Sequence, residues 1–193
     1  MAERPVPASV LSVNVGLPRD VPWKGEIVRT AIWKAPVTGP VRVERLNLEG
    51  DRQADLTVHG GSAKAVYVYP SEHYLRWREE LDLPDLAWGS FGENLTTLGL
   101  SEATVRIGDR FRIGTAEFQV TRPRLPCYKL GIRFGQPDIV RRFLLTARTG
   151  FYLSVLLEGH LAAGDAIEFV ASSELGPTVA EVVATRRTQA EEA

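Results

Sequence analysis

Short runs of alternating apolar and polar residues, each cut off by glycine or proline, recur along the chain and restrict it to a fold of many short strands. Leu11, Val13 and Val15 alternate with Ser12 and Asn14, and residues 27–34 alternate in the same way. Residues 41–43 and 46–48 are similar, and 66–69 form another run ended by Pro70. Residues 105–107, 110–113 and 117–121 read as a meander with turns at Gly108-Asp109 and Gly114-Thr115. Residues 151–157 and 166–170 close the series. Only two segments inside it have helical spacing. Ser71 can cap a helix that puts Tyr74, Trp77, Arg78 and Leu81 on one face, and Pro137 can open another with Ile139, Val140, Phe143 and Leu144 buried. The expected fold is mainly β, a closed or nearly closed barrel of short strands with a few peripheral helices.

With 193 residues, 44% of them hydrophobic, the chain can bury one core. The barrel is expected over residues 8–171. Residues 172–193 then form a short C-terminal helix and a polar tail, with Val179, Val182 and Val183 apolar along residues 177–185. Isolated helices below ~12 residues are marginal in water, so this valine stripe is expected to pack on a second copy of the chain, giving a homodimer.

Lys and Arg number 23 against 24 Asp and Glu, so no general field gathers nucleic acid and any anion site must be local. A single cysteine excludes an intrachain disulfide and suits the cytoplasm. Met1 to Pro7 lacks the apolar segment of a signal peptide, and no stretch approaches the ~20 apolar residues of a membrane helix. No histidine or cysteine pair has zinc spacing. An oligonucleotide-binding barrel is disfavoured by the near-zero net charge and the lack of a basic aromatic strand face.

The lone cysteine lies in Arg122-Pro123-Arg124-Leu125-Pro126-Cys127-Tyr128-Lys129. Two prolines predict an irregular rim here, and Arg122, Arg124 and Lys129 favour the thiolate that attacks electrophiles and binds soft metals. A buried cysteine packing as a small hydrophobe is the alternative. Two other loops carry polar groups a core does not need. In residues 50–64, which begin Gly50-Asp51-Arg52 and end Val58-His59-Gly60-Gly61-Ser62-Ala63-Lys64, paired glycines let backbone amides approach a ligand, flanked by a proton donor and a cation; a glycine turn beside a solvated histidine is the simpler account of this segment alone. In Phe91-Gly92-Glu93-Asn94-Leu95 an acid and an amide share a loop, where an Asx turn is the simpler account. His73 and His160 read as ordinary, one on an exposed helical face and one in a turn.

These motifs in this order, with Leu48-Glu49-Gly50-Asp51 and Tyr69-Pro70-Ser71-Glu72-His73-Tyr74, resemble the MOSC family and within it the small stand-alone bacterial branch. The resemblance covers about residues 8–171. It implies a barrel that holds a molybdenum–pyranopterin cofactor with Cys127 as metal ligand. It also implies reduction of N-hydroxylated purines and related hydroxylamines, of which 6-hydroxylaminopurine is one, to amines. His59, Asn94, Arg122 and Tyr128 fall where the family keeps polar groups around that pocket, with His59 or Tyr128 as proton donor. Arg52, Lys64, Arg122, Arg124 and Lys129 are candidates for the cofactor's phosphate, Arg122 and Lys129 foremost, and Gly60 and Gly61 offer backbone amides. A separate reductase would supply electrons. The three-helix module common in this branch is shortened or absent. The competing function is a non-catalytic carrier of the cofactor, or of persulfide sulfur on Cys127.

Overall fold

A computed structural model describes residues 7–55, 60–173 and 175–191. Along the chain the strands are β1 (Ser9–Val15), β2 (Arg19–Trp23), β3 (Glu26–Thr30), β4 (Ala35–Val37), β5 (Val41–Glu44), β6 (Asn47–Leu48), β7 (Val66–Pro70), β8 (Leu95–Leu98), β9 (Arg110–Ile113), β10 (Ala116–Pro123), β11 (Phe151–Leu157), β12 (Gly159–Leu161) and β13 (Ile167–Ala171). The helices are α1 (Glu72–Leu81), α2 (Tyr128–Phe134), α3 (Ile139–Thr146) and α4 (Val179–Glu191). The fold is mainly β, as the alternation predicts.

Eight strands form one sheet in the order β13-β9-β10-β11-β7-β8-β1-β4. β7 and β8 pair in parallel, and α1 is the crossover that parallel pairing requires. The ladder does not close into a barrel: β13 and β4 are its edges, and one isolated bridge, Ser9 to Ala166, brings the start of β13 against β1. Pro36 fits at the β4 edge, where a missing N–H leaves no ladder bond unmade. Valine, isoleucine, leucine and phenylalanine side chains from β1, β5, β7 to β11 and β13 fill the main core. A second cluster, rich in aromatics, lies under α1 and α3, with Tyr74, Trp77 and Phe143 fully buried.

Five local readings change. The alternation of β1 is broken by a bulge between Val10 and Ser12, so Leu11 faces out while Ser12 and Asn14 are buried. The alternating run 27–34 is a strand only as far as Thr30. Its partner β2 is hidden in the sequence by Pro22, and the two form a hairpin whose Lys24-Gly25 turn has positive φ at both positions, 51° and 85°, as a type I′ turn demands. Residues 105–107 form only a bridge, from Arg106 to Thr178, and 159–161 are a strand in which His160 is exposed. The rim after Pro126 is one short helix, α2, starting directly after Cys127.

The C-terminal helix is longer than its valine stripe. A capping box starts it: Thr178 N–H donates to the Glu181 carboxylate at 2.6 Å, and Glu181 N–H donates to the Thr178 hydroxyl at 3.1 Å. Val179 N–H and Ala180 N–H reach the carbonyls of Val105 and Glu102. Val179 and Val183 are buried on this chain's own core, so covering them requires no second copy.

Candidate functional site

Asp51 is buried and held from three directions. Its Oδ1 accepts from Gly16 N–H at 2.9 Å and from the Lys34 ammonium, and its Oδ2 accepts from Asn94 Nδ2 at 2.9 Å. Asn94 is itself fixed, accepting from Tyr67 N–H at 3.0 Å and donating to the Asn14 carbonyl at 3.3 Å. Asn14 offers its backbone carbonyl here, while its side chain, turned inward beyond the β1 bulge, donates to the Thr96 hydroxyl at 3.1 Å. Burial pulls the Lys34 ammonium below its ordinary 10.5, opposed by the charge and hydrogen bond of Asp51. Gly89 lets the 89–94 loop press on this network: its φ is +84°, and a Cβ there would lie 2.8 Å from the Lys34 carbonyl oxygen.

A cleft of about 100 Å³ opens over the network. Its described walls carry five cations, Lys34, Arg52, Lys64, Arg124 and Lys129, against one carboxylate, Asp51. Arg124 is only 6% exposed, stacked 5.3 Å from the Tyr67 ring centroid and 5.0 Å from that of Phe143. Its Nη1 is buried and has no hydrogen-bond partner among the described residues. Arg124 lines the cleft, and an unmade bond at a buried charged donor costs about 1–3 kcal/mol or more, which an anion that reached this nitrogen would recover. Burial opposes the Arg124 charge, but Tyr67, Tyr152 and Cys127 outweigh it and raise the guanidinium above its ordinary value. Burial also pushes the phenols of Tyr67 and Tyr152 up, so both keep their protons at neutral pH.

Cys127 is half-buried and lines this cleft. So do Asn94, Arg52, Lys64 and Lys129 of the residues expected at the site. Arg122 does not: it is exposed and lines a neighbouring groove, while Arg124, two residues on, holds the buried place. Tyr128 is 56% exposed and lines neither cavity. Gly60 and Gly61 also stay out of both walls, with Gly61 capping a single 3-10 turn at Ser62–Lys64. His59 lies outside the described residues. His73 is no solvated histidine, since its Nε2 sits 2.9 Å from the buried Glu102 carboxylate.

Sequence reasoning passed over Lys34 and Tyr152, and gave Asp51 no role although it stands in a motif that carries the resemblance. Tyr152 had a visible signal, an aromatic on the polar side of the alternating 151–157 run. Lys34 had none, because it looked like the outward residue of a strand that stops four residues earlier. Among the described residues no group of three or more His, Cys, Asp or Glu side chains could hold a metal. None of their helices is long and apolar enough to cross a membrane.

A mainly β scaffold presenting a lone cysteine in a cation-lined cleft defines the class, and residues 55–168 match the MOSC domain. The chain belongs to the MOSC family. It is 47% identical over 171 residues to the uncharacterized protein YflK of Bacillus subtilis, covering 89% of this chain and 77% of that one. It is 43% identical to the protein YiiM of Escherichia coli, over 73% of this chain and 64% of that one. A Gibberella moniliformis protein named as a reductase is 37% identical over 88% of this chain, which spans only 30% of that longer protein. The crystal structure of YiiM from Geobacillus stearothermophilus superposes with a TM-score of 0.79 at 34% identity, covering 95% of this chain and 85% of that one.

Proposed function

We propose that this chain is a molybdenum-cofactor-dependent reductase of N-hydroxylated bases, with Cys127 as the protein ligand to the metal. The observation that carries it is the pairing of a half-buried thiol with a buried, unpartnered guanidinium N–H in one cation-lined cleft. That donor set fits a group that is anionic and brings a soft metal. Membership of the MOSC family and the likeness to a protein named as a reductase support the same direction.

Cys127 would ligate the metal, and Arg124, Arg52, Lys64 and Lys129 would hold the anionic part of the cofactor. When bound, such a cofactor supplies two-electron redox chemistry. Reduction of an N-hydroxylamine breaks the N–O bond, takes up two electrons and two protons, and releases an amine and water. The chain's own residues attend to the protons. Lys34 lines the cleft with its ammonium already pulled down by burial, which eases release of a proton to a departing oxygen. Asp51, fixed by Gly16 and Asn94, keeps that ammonium in place. Tyr152 is a second protonated group on the same wall. Electrons come from a separate reductase.

The test is production in a host that makes the cofactor, followed by molybdenum and pterin analysis and an assay of 6-hydroxylaminopurine reduction with a chemical electron donor. Molybdenum equimolar with the chain, together with amine formation, is expected. Loaded protein that forms no amine but passes its cofactor to an acceptor would instead be a carrier, and protein that takes up no molybdenum would overturn the proposal.

A further inference from the structure

Cys127 borders two cavities. The cation-lined cleft shares Cys127, Lys64, Leu125 and Tyr152 with a groove of about 590 Å³, and beyond those four residues their walls differ. The groove runs to α4. Arg186 of that helix and Arg122 of β10 stand on its walls with Lys64, and none of its described lining residues is acidic. Ile107, Leu125, Pro177 and Val182 supply an apolar floor to the same space. Arg122 and Arg186 beside an apolar surface, with no carboxylate among the described lining residues, suit a ligand with a flat apolar body and an anionic end.

We propose that this groove is the substrate's entrance and binds a phosphomonoester, so that the substrate is the N-hydroxylated base as its 5′-nucleotide rather than as the free base. Arg122 and Arg186 take the phosphate, and the apolar floor takes the nucleoside. The step rests on the reductase function proposed above, because it is the shared Cys127 wall that makes the groove an approach to the metal. The volume falls inside the 300–1,000 Å³ or so typical of sites that enclose molecules of this size. Arg124 with its orphaned N–H, Lys34, Arg52, Lys64 and Lys129 line the first cleft, whereas Arg122 and Arg186 line only the groove, which leaves those two without a part in holding the cofactor. The C-terminal helix acquires a purpose: its buried valines anchor it, and its exposed arginine reads the ligand.

Adenosine 5′-monophosphate and adenosine are the probes. Titrated into cofactor-free protein at low salt, the nucleotide should bind roughly tenfold tighter or better, and its advantage should shrink as salt screens the exposed arginines. Arg186→Glu and Arg122→Glu, each checked for an unchanged melting curve, should abolish that advantage. Equal binding of the two probes, or an advantage that survives both reversals, overturns the proposal. In loaded protein, Arg186→Glu should lower the ratio of kcat/KM for the 6-hydroxylaminopurine nucleotide to that for the free base by about tenfold, at unchanged molybdenum content. A fall in molybdenum and pterin content instead would assign the groove to the cofactor's own phosphate and also overturn it. The two proposals fail separately: absence of hydroxylamine reduction defeats the proposed function, while the nucleotide titration on cofactor-free protein decides the groove alone.

Discussion

Glu93 and Asp51 are both buried carboxylates, contributed or held by the same loop, yet their surroundings differ in one respect. Glu93 is enclosed. It accepts from the Tyr74 hydroxyl, Gly89 N–H at 2.8 Å, Phe91 N–H at 3.1 Å and the Thr96 hydroxyl at 2.9 Å, with the aromatic cluster closed around it. Asp51 has three donors to Glu93's four, but one of them is a lysine that lines an open cleft, and the same cleft is lined by an arginine whose Nη1 has no partner among the described residues. A buried polar network that satisfies itself fixes a loop. One that leaves a cation unsatisfied beside open space awaits a ligand.

The largest effect expected on this comparison is in the closed network. Glu93→Ala should destabilise the protein by about 3–5 kcal/mol in chemical denaturation, since it strands donors that have no water to turn to. A near-neutral result would break the contrast. Cys127→Ser should leave unfolding within about 0.5 kcal/mol while lowering molybdenum-dependent turnover at least about a hundredfold, roughly 2.7 kcal/mol of activation free energy. Metal analysis beside a melting curve separates the two. Asn94→Ala should fall between the regions, losing about 1–3 kcal/mol of stability because Tyr67 N–H and Asp51 both lose a partner, and losing turnover as Lys34 is left less well placed.

Arg124→Met sharpens the comparison from the other side. Removing a buried cation with an unsatisfied donor should leave cofactor-free protein as stable or slightly more so, by up to about 1 kcal/mol, while cofactor retention falls. Clear destabilisation of the cofactor-free form would mean that Arg124 serves the fold. The smallest effect concerns Glu102. Burial works to raise its carboxyl, but His73 and the Gly150 N–H at 2.7 Å outweigh it and hold the group below 4.5. A depressed folded-state value contributes stability above the unfolded value near 4.5, and that stability is lost as pH falls through the folded value. Glu102→Gln should therefore flatten the acid limb of a stability profile taken from pH 6 to pH 3. An unchanged limb would show that Glu102 is not the group responsible.

Much of this was legible residue by residue. Most period-two runs, the helices at α1 and α3, and the turns at Gly108-Asp109 and Gly114-Thr115 follow from chemistry within a few residues, although the 27–34 run is a strand only to Thr30 and 105–107 is only a bridge. The Thr178-to-Glu181 capping box was equally local and could have been read. The motif order was enough to suggest the family, and residues 55–168 bear it out. Arg122 and Arg124 mark the limit. In sequence they are equivalent basic neighbours of a proline, and only packing makes one buried beside Tyr67 and leaves the other on a separate groove.

The sequence alone thus determined the mainly β class, the helical segments and the cysteine on which the chemistry is proposed to turn, because backbone preference and side-chain period are properties of neighbours in the chain. Tertiary structure alone decided that a bulge would turn Asn14 inward, that Lys34 would meet Asp51, that the sheet would stop short of a closed ladder, and that Val179 and Val183 of α4 would be covered by their own chain. Each of these depends on residues far apart in sequence competing for the same buried volume, and no local pattern records which of them wins.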